Sequence, residues 1–438
     1  MTASEQLAQF AAGSKALPKL CREYKKERAT VHLKELVGGA LSFYAAAAVA
    51  KTGGVHIFVA EDRDAAAYLL NDFYNLLDEK QVYFFPSSYK RSAAYGAEDA
   101  QGVVQRTTAM NAVRGFTKGY LVVCTYPEAL AERVVDAATL QRDTIAVKLG
   151  DKISIAVLED ALADANFTRV DFVYEPGQYS VRGGIVDVFS YSESKPYRID
   201  FFGDEVDSIR RFNISSQLSA DKLDRVEIVP NLNAGEAPRV SFVQFAGSSA
   251  TCWFYDADYV LRRVNDLRRK VLADMEEPGQ IDRLLTSRNV LLRDMAGNSV
   301  VALRDNLPER PATAAVVFDT APQPKFNKNF EMLADDMIRN SLRGYATYIL
   351  SENKVQVERL ENIFHQIGRG QAAVRSLSVT LHEGFVDNDL KLCLYTDHQI
   401  FDRYQRYRIN GEIRRDEQMT VAELNQLLSL IHISEPTR

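Results

Sequence analysis

Two consecutive runs near the middle of the chain decide its fold class: EPGQYSVRGGIVDVF at residues 175–189 and YRIDFFGDEVDSIRRF at residues 197–212. Apolar and polar residues alternate through both runs, and the glycine-containing pairs Gly183-Gly184 and Gly203-Asp204 interrupt them. Period-2 alternation bounded by such turns predicts antiparallel strands that bury one face. We therefore expect a β-rich module over residues 147–232.

On both sides of this module, short apolar runs alternate with helical patterns. Before it, buried strands are predicted at residues 31–33, 53–60, 82–85 and 120–125. A helix is predicted over residues 64–80, with Asp62 and Asp64 as candidate N-caps. Such β-α-β alternation is typical of a parallel sheet that is covered by helices.

The predicted organisation is an α/β fold in which a β-rich α+β insert interrupts a parallel-sheet domain. Residues 1–146 and 233–338 would form the two parts of that domain, residues 147–232 the insert, and residues 339–427 a small α/β domain that follows. The length of 438 residues agrees with about three domains.

The amino-acid composition limits the classes of protein to which this chain could belong. The chain has 53 Lys and Arg against 59 Asp and Glu, so its net charge is −6 and any contact with DNA must be local. The four cysteines are far apart and are predicted to be buried thiols in a reducing compartment. The first 30 residues contain no apolar signal segment, and no stretch is long enough to span a membrane, which predicts a cytoplasmic protein without membrane partners.

The turn after the first predicted strand occupies the position where RecA-type ATPases hold phosphate. Residues 37–42 read VGGALS, in which Gly38 and Gly39 permit the turn. A working phosphate loop needs a lysine there to neutralise charge, and this sequence has Ala40 and Leu41 instead. We interpret the segment as a strand-to-helix turn. The sequence offers no catalytic residue, bound cofactor or metal ligand.

The strand predicted at residues 197–202 places different side chains on its two faces. Tyr197, Ile199 and Phe201 share one face, and Arg198, Asp200 and Phe202 the other. An arginine and an aromatic residue on a polar surface are typical of protein-interface hot spots. The alternative is an ordinary sheet edge with Phe202 tucked under a loop, and the pattern alone leaves both interpretations open.

At this segment the sequence resembles the UvrB-interaction-type domain that the excision-repair protein UvrB shares with the transcription-repair coupling factor (Mfd) family. The resemblance rests on EPGQY (175–179), RGGIVDVF (182–189) and YRIDFFGDE (197–205), and it extends to motifs on both sides. Those flanking motifs are FFPSS (84–88), TYPEAL (125–130), PKFN (324–327) and YTDHQIF (395–401).

The missing lysine favours the coupling factors, which have a degenerate phosphate loop, over UvrB, and the motifs most resemble Bacteroidetes versions. The resemblance implies a degenerate RecA-like (UvrB-like) parallel-sheet domain around the insert. It also implies that the insert recruits the damage sensor UvrA to stalled RNA polymerase for nucleotide excision repair of DNA. Carried over to this sequence, the UvrA contacts fall on Arg182, Arg198 and Phe202, with the arginines pairing with acidic groups of UvrA.

In the family, the regions that follow the part matched here bind RNA polymerase, double-stranded DNA, ATP and Mg²⁺. We therefore expect this chain to bind partners without acting as an enzyme, although the full-length family is an ATP-hydrolysing DNA translocase. Two alternatives stay open: a UvrB-like, ATP-dependent repair helicase component, and a stand-alone adaptor for polymerase or DNA.

The last eleven residues, LSLIHISEPTR at positions 428–438, do not resemble the family. They look like the translation of a sequencing adapter. We expect the natural sequence to break off at about Leu427.

Overall fold

The structure is a computed structural model that describes residues 2–89, 98–233, 237–275 and 277–403. The predicted adapter segment and the last part of the predicted small domain lie outside these residues. The helices and strands are given below in chain order, in four groups.

The first group contains alternating helices and strands up to residue 143. These are α1 (Ala3–Ala12), α2 (Ala16–Tyr24), β1 (Thr30–Lys34), α3 (Ala40–Thr52), β2 (Gly54–Val59), α4 (Arg63–Leu76), β3 (Val82–Phe84), α5 (Ala100–Gly115), β4 (Tyr120–Thr125), α6 (Pro127–Ala131), β5 (Val134–Val135) and α7 (Ala137–Asp143). Helix α4 is capped as predicted, because the Asp62 carboxylate accepts a hydrogen bond from the Ala65 backbone N–H at 2.8 Å.

The second group forms the β-rich insert. Its elements are β6 (Ile145–Lys148), α8 (Ile155–Asp164), β7 (Thr168–Arg169), β8 (Gln178–Arg182), β9 (Ile185–Val188), β10 (Tyr197–Phe202), β11 (Glu205–Phe212), β12 (Ser219–Leu223) and β13 (Arg225–Ile228). Strands β7 to β12 form one sheet in sequence order, and all its neighbours are antiparallel except β7 and β8. Strand β6 pairs with β13 where the chain enters and leaves the insert.

The third and fourth groups complete the chain. The third comprises β14 (Arg239–Val240), α9 (Phe242–Ala246), β15 (Thr251–Phe254), α10 (Ala257–Asp274), α11 (Ile281–Leu284), α12 (Arg288–Asp294), β16 (Ser299–Ala302) and β17 (Ala314–Val317). The fourth comprises β18 (Thr320–Pro322), α13 (Phe330–Leu342), β19 (Ala346–Leu350), α14 (Lys354–Gln366), β20 (Ser376–Leu377), β21 (Phe385–Asp387), β22 (Leu392–Thr396) and α15 (Asp397–Ile400).

A seven-stranded sheet joins the first and third groups across the insert. Its order is β17-β1-β16-β15-β2-β4-β3, and every neighbouring pair is parallel. The central strands are buried on both faces, as continuous apolar runs such as Val122-Val123 in β4 require. This confirms the predicted α/β class, with a parallel sheet interrupted by a β-rich insert.

The fourth group forms its own five-stranded sheet, in the order β18-β21-β22-β19-β20. It has a separate core around Phe326, Phe364 and Tyr395. Its inner edge packs against the first group, where the rings of Phe43 and Phe385 lie 5.3 Å apart. All four cysteines are buried and free, as the sequence predicts. No helix in the described ranges is both long and apolar enough to cross a membrane.

Candidate protein-interaction site

The outer face of the insert sheet carries the predicted contact residues. Helix α8 covers the other face, where Tyr197 and Ile199 are buried together with Leu158 and Leu162. Arg198 pairs across the sheet with Asp187 of β9 on one side and with Arg210 of β11 on the other. Opposite residues of antiparallel strands share a face. The alternation predicted for residues 197–202 is therefore present, up to a bulge between Asp200 and Phe201.

Asp187 is the centre of an ionic cluster on this face. Its carboxylate accepts two hydrogen bonds from Arg198, from Nε at 2.7 Å and from Nη2 at 2.8 Å. Arg182 donates to the same carboxylate from Nη2 at 2.5 Å. The Asp187 side chain is 2% exposed, so these charge-assisted bonds are largely shielded from water. The cluster ties strands β8, β9 and β10 together.

Aromatic rings complete the surroundings of the two arginines. The guanidinium carbon of Arg198 lies 4.4 Å from the ring centre of Phe212, and that of Arg182 lies 4.8 Å from Phe172. Arg198 also donates to Gln217 Oε1 at 3.1 Å. Both arginines thus have partners within the chain, and the Arg198 side chain is only 15% exposed. Their direct pairing with a partner protein stays a prediction.

Phe202 differs from the two arginines in that its side chain is almost fully exposed to water. It is the last residue of β10, beside the Gly203-Asp204 turn, and 84% of its surface is exposed. The alternative in which a loop covers Phe202 is therefore wrong. A partner that covered the Phe202 ring would gain the free energy of removing a large apolar surface from water. This exposure is the feature of the face that most resembles a binding anchor.

Two further aromatic residues lie in the loop before β8. Phe172 is 49% exposed and Tyr174 is 59% exposed. Arg182, which contacts Phe172, pairs across the sheet with Ile185, which in turn pairs with Asp200, two residues before Phe202. We call Phe172, Tyr174, Arg182 and Phe202 the aromatic edge. Phe172, Arg182 and Phe202 lie at the end of the sheet where the Gly183-Gly184 and Gly203-Asp204 turns meet. Tyr174 lies nearer the start of β8, where its backbone N–H donates to Gln178 Oε1 at 2.9 Å.

Sequence reasoning missed Asp187, Phe172 and Tyr174. A signal for Asp187 was present, because it is an acidic residue between the buried Val186 and Val188 and stands opposite an arginine once the hairpin register is known. No comparable signal marked Phe172 and Tyr174, since their segment shows no strand periodicity.

The predicted degenerate phosphate loop has a different environment from a nucleotide site. It connects β1 with α3, and Gly39 is the N-cap of that helix. The Ser42 hydroxyl donates to Asp72 Oδ2 at 2.6 Å, on the neighbouring helix α4. In a phosphate loop a hydroxyl near this position binds magnesium, but here it is committed to a carboxylate.

Residues 383–384 of the fourth group fill the space in front of the two glycines. A Cβ atom added to Gly39 would lie 2.1 Å from the carbonyl oxygen of Glu383, and one added to Gly38 would lie 3.1 Å from that of Gly384. The glycines therefore permit close packing of backbone on backbone. With this segment in place and no lysine in the loop, the residues present do not fit a nucleotide phosphate.

Gly39→Ala tests this packing. Because the added methyl group would meet a backbone oxygen, we expect the variant to lose about 1–2 kcal/mol of stability. Gly115→Ala is the matched control, since nothing lies within 4 Å of its added Cβ. Urea unfolding followed by Trp253 fluorescence compares the two, and equal midpoints would contradict the close packing.

Asp72, on helix α4, connects the segment around residues 382–384 to the domain that contains the seven-stranded sheet. Its Oδ1 atom accepts a hydrogen bond from the His382 backbone N–H at 2.6 Å, and its side chain is buried. Burial raises the pKa of Asp72 to about 7, although the hydrogen bonds from Ser42 and His382 oppose that shift.

This shift predicts a pH dependence of stability. Between about pH 4 and pH 7 the unfolded chain loses the Asp72 proton while the folded chain retains it, so the stability contributed by Asp72 falls as pH rises through that window. Asp72→Asn keeps the hydrogen-bonding shape and removes the titration. We expect the variant to gain up to about 1 kcal/mol per pH unit relative to the native chain. Urea unfolding at pH 5 and pH 7 measures this, and parallel pH profiles would contradict it.

No cluster of three or more His, Cys, Asp or Glu side chains suited to a metal ion occurs within the described ranges.

Comparison with known proteins gives a family-model match over the β-rich insert and similarity to several curated relatives. Residues 145–233 match the family model of the UvrB interaction domain. The chain is 27% identical over 199 residues to the transcription-repair-coupling factor of Bacillus subtilis (strain 168), and equally so to that of Escherichia coli (strain K12). In both cases 45% of this chain and 17% of the relative are covered.

The transcription-repair-coupling factor of Haemophilus influenzae is 35% identical over 101 residues, which are 23% of this chain and 9% of that protein. The chain thus matches less than a fifth of the length of these curated relatives.

Proposed function

We propose that this chain, which carries a UvrB interaction domain at residues 145–233 and resembles transcription-repair-coupling factors, binds UvrA through the outer face of that domain. The observation that carries the proposal is the exposure of Phe202 on a strand that is tied to its neighbour by the Arg198–Asp187 ion pair. In this function the chain helps to bring UvrA to stalled RNA polymerase for transcription-coupled nucleotide excision repair in the bacterial cytoplasm.

The contact residues divide into an anchor and its supports. Phe202 is the anchor, because it can bury a large apolar area at a small entropic cost. Arg198 fixes the strand that presents it, through the bidentate pair with Asp187. Arg182 is 37% exposed and retains N–H groups that can reach an acidic side chain of UvrA. All three predicted residues keep a role, but Arg198 acts mainly by positioning.

The chain is proposed to have no ATPase activity of its own. Two observations support this: the loop lacks a lysine, and residues 383–384 pack against its glycines. ATP, Mg²⁺, RNA polymerase and double-stranded DNA would be bound by other regions of a longer, coupling-factor-like protein. The UvrB-like helicase alternative is disfavoured for the same reasons.

Calorimetric titration of UvrA into the whole chain tests the proposal. We expect saturable binding, and separate titration with ATP and Mg²⁺ should give no heat of binding and no phosphate release. Absence of binding to UvrA would favour the stand-alone adaptor. Saturable ATP binding with turnover would favour the UvrB-like alternative.

A further inference from the structure

A pocket at the carboxyl edge of the large parallel sheet has no part in the proposed UvrA contact. It has a volume of about 320 Å³ and opens beyond the ends of β2 and β15, between helix α4 and residues 382–383. Open parallel sheets bind their ligands beyond the carboxyl ends of the strands. The volume lies within the range of small-molecule sites. The pocket therefore has the position and the size of a ligand site.

Aromatic side chains form part of the pocket lining, together with the glycine loop at Gly38 and Gly39. Phe58 and Trp253 stack in its floor, with ring centres 4.9 Å apart and an angle of 20° between the planes. Tyr68 stacks on His382 at 3.9 Å on one side. Tyr255 stands at the strand end and is 40% exposed. Such a lining favours a flat or apolar body. The Tyr255 ring already faces the guanidinium of Arg304, whose carbon lies 5.5 Å from the ring centre.

The exposed charged residues that line the pocket are acidic. Asp72, Glu61 and Glu383 line the pocket, and no lysine or arginine occurs among the described residues that line it. The Glu61 and Glu383 side chains are exposed to water. Asp72 lies deeper, where it accepts hydrogen bonds from Ser42 and from the His382 backbone. This arrangement repels phosphates and attracts cations.

We propose that this pocket binds a small organic cation with an apolar or aromatic body, such as a substituted ammonium or guanidinium compound. The aromatic part of the lining would contact the body, and the carboxylates of Glu61 and Glu383 would face the charge. A bare metal ion fits less well, because the described residues provide no cluster of metal-ligating side chains. The site thus reverses the charge preference of the nucleotide pocket that this position holds in a RecA-type fold.

The chain contains its own reporter for this proposal. Trp253 is its single tryptophan and lies in the pocket floor. We expect benzyltrimethylammonium to change the Trp253 fluorescence saturably, with a dissociation constant of about 1 mM or below. Benzenesulfonate, which has a similar ring with a negative charge, and ATP should give no saturable change.

Two variants separate specific binding from general quenching. E61Q combined with E383Q removes both exposed carboxylates and should weaken binding of benzyltrimethylammonium about tenfold. E331Q, on helix α13 and away from the pocket lining, is the matched control and should bind like the native chain. The proposal is overturned if the native chain shows no saturation, if benzenesulfonate binds equally well, or if the double variant retains full affinity. Thermal unfolding confirms that each variant is folded.

Discussion

Asp187→Asn is expected to destabilise the insert by about 3 kcal/mol. The substitution removes the negative charge on which two guanidinium groups converge, while it retains the shape of the side chain. Breaking a buried ion pair from one side typically costs about 3–5 kcal/mol, because the remaining charge stays poorly solvated. We take the lower end of this range, since Arg182 is 37% exposed and can regain water.

Amide hydrogen exchange measures this loss locally, because strands β8 to β10 belong to a core separate from that of the large sheet. We expect their exchange to accelerate about a hundredfold in Asp187→Asn. Asp207→Asn is the control, as Asp207 is exposed on β11. Equal protection of β9 and β10 in the native chain and in Asp187→Asn would show that the cluster does not hold the sheet.

Phe202→Ala is expected to weaken binding of UvrA by about 2 kcal/mol, roughly thirtyfold in Kd, without loss of stability. The affinity falls because the proposed anchor is removed. Stability is preserved because the ring is 84% exposed and contributes little to the core of the insert.

Leu218→Ala is the matched control for this prediction. Leu218 is 70% exposed, but it lies in the connection between β11 and β12, at the other end of β11 from the Phe202 turn. Calorimetric titration of UvrA into both variants should show weaker binding only for Phe202→Ala. Equal affinities for the two variants would remove Phe202 from the contact surface.

Most of the fold could be predicted from the sequence because its strands have clear periodicity. Strand β4 was predicted with its observed bounds, Tyr120–Thr125, since six continuous apolar or small residues follow a glycine. Helix α4 ends at Leu76, four residues before its predicted end, because the chain turns at Asp78 into a short 3₁₀ segment. The contact of residues 383–384 with the glycine loop joins positions more than 300 residues apart, which single-sequence periodicity does not reveal.

The candidate site could be predicted only in part from the sequence, because the sequence does not show which strands are neighbours. Alternation along β10 separated Arg198 and Phe202 from the buried face, but a single strand does not show which residues its neighbours present. The pairing of Arg198 with Asp187 required the register of β9 and β10. That register shows that the Arg198 guanidinium pairs with Asp187 of its own sheet, whereas the strand alone suggested a charge available to a partner protein.

Amide hydrogen exchange of the whole chain with and without UvrA locates the proposed contact surface. We expect UvrA to slow exchange at the aromatic edge, in residues 172–174, 182–184 and 201–206, and to leave the seven-stranded parallel sheet unchanged. Protection confined to the seven-stranded or the five-stranded sheet, with unchanged exchange around Phe202, would show that UvrA does not bind at the aromatic edge.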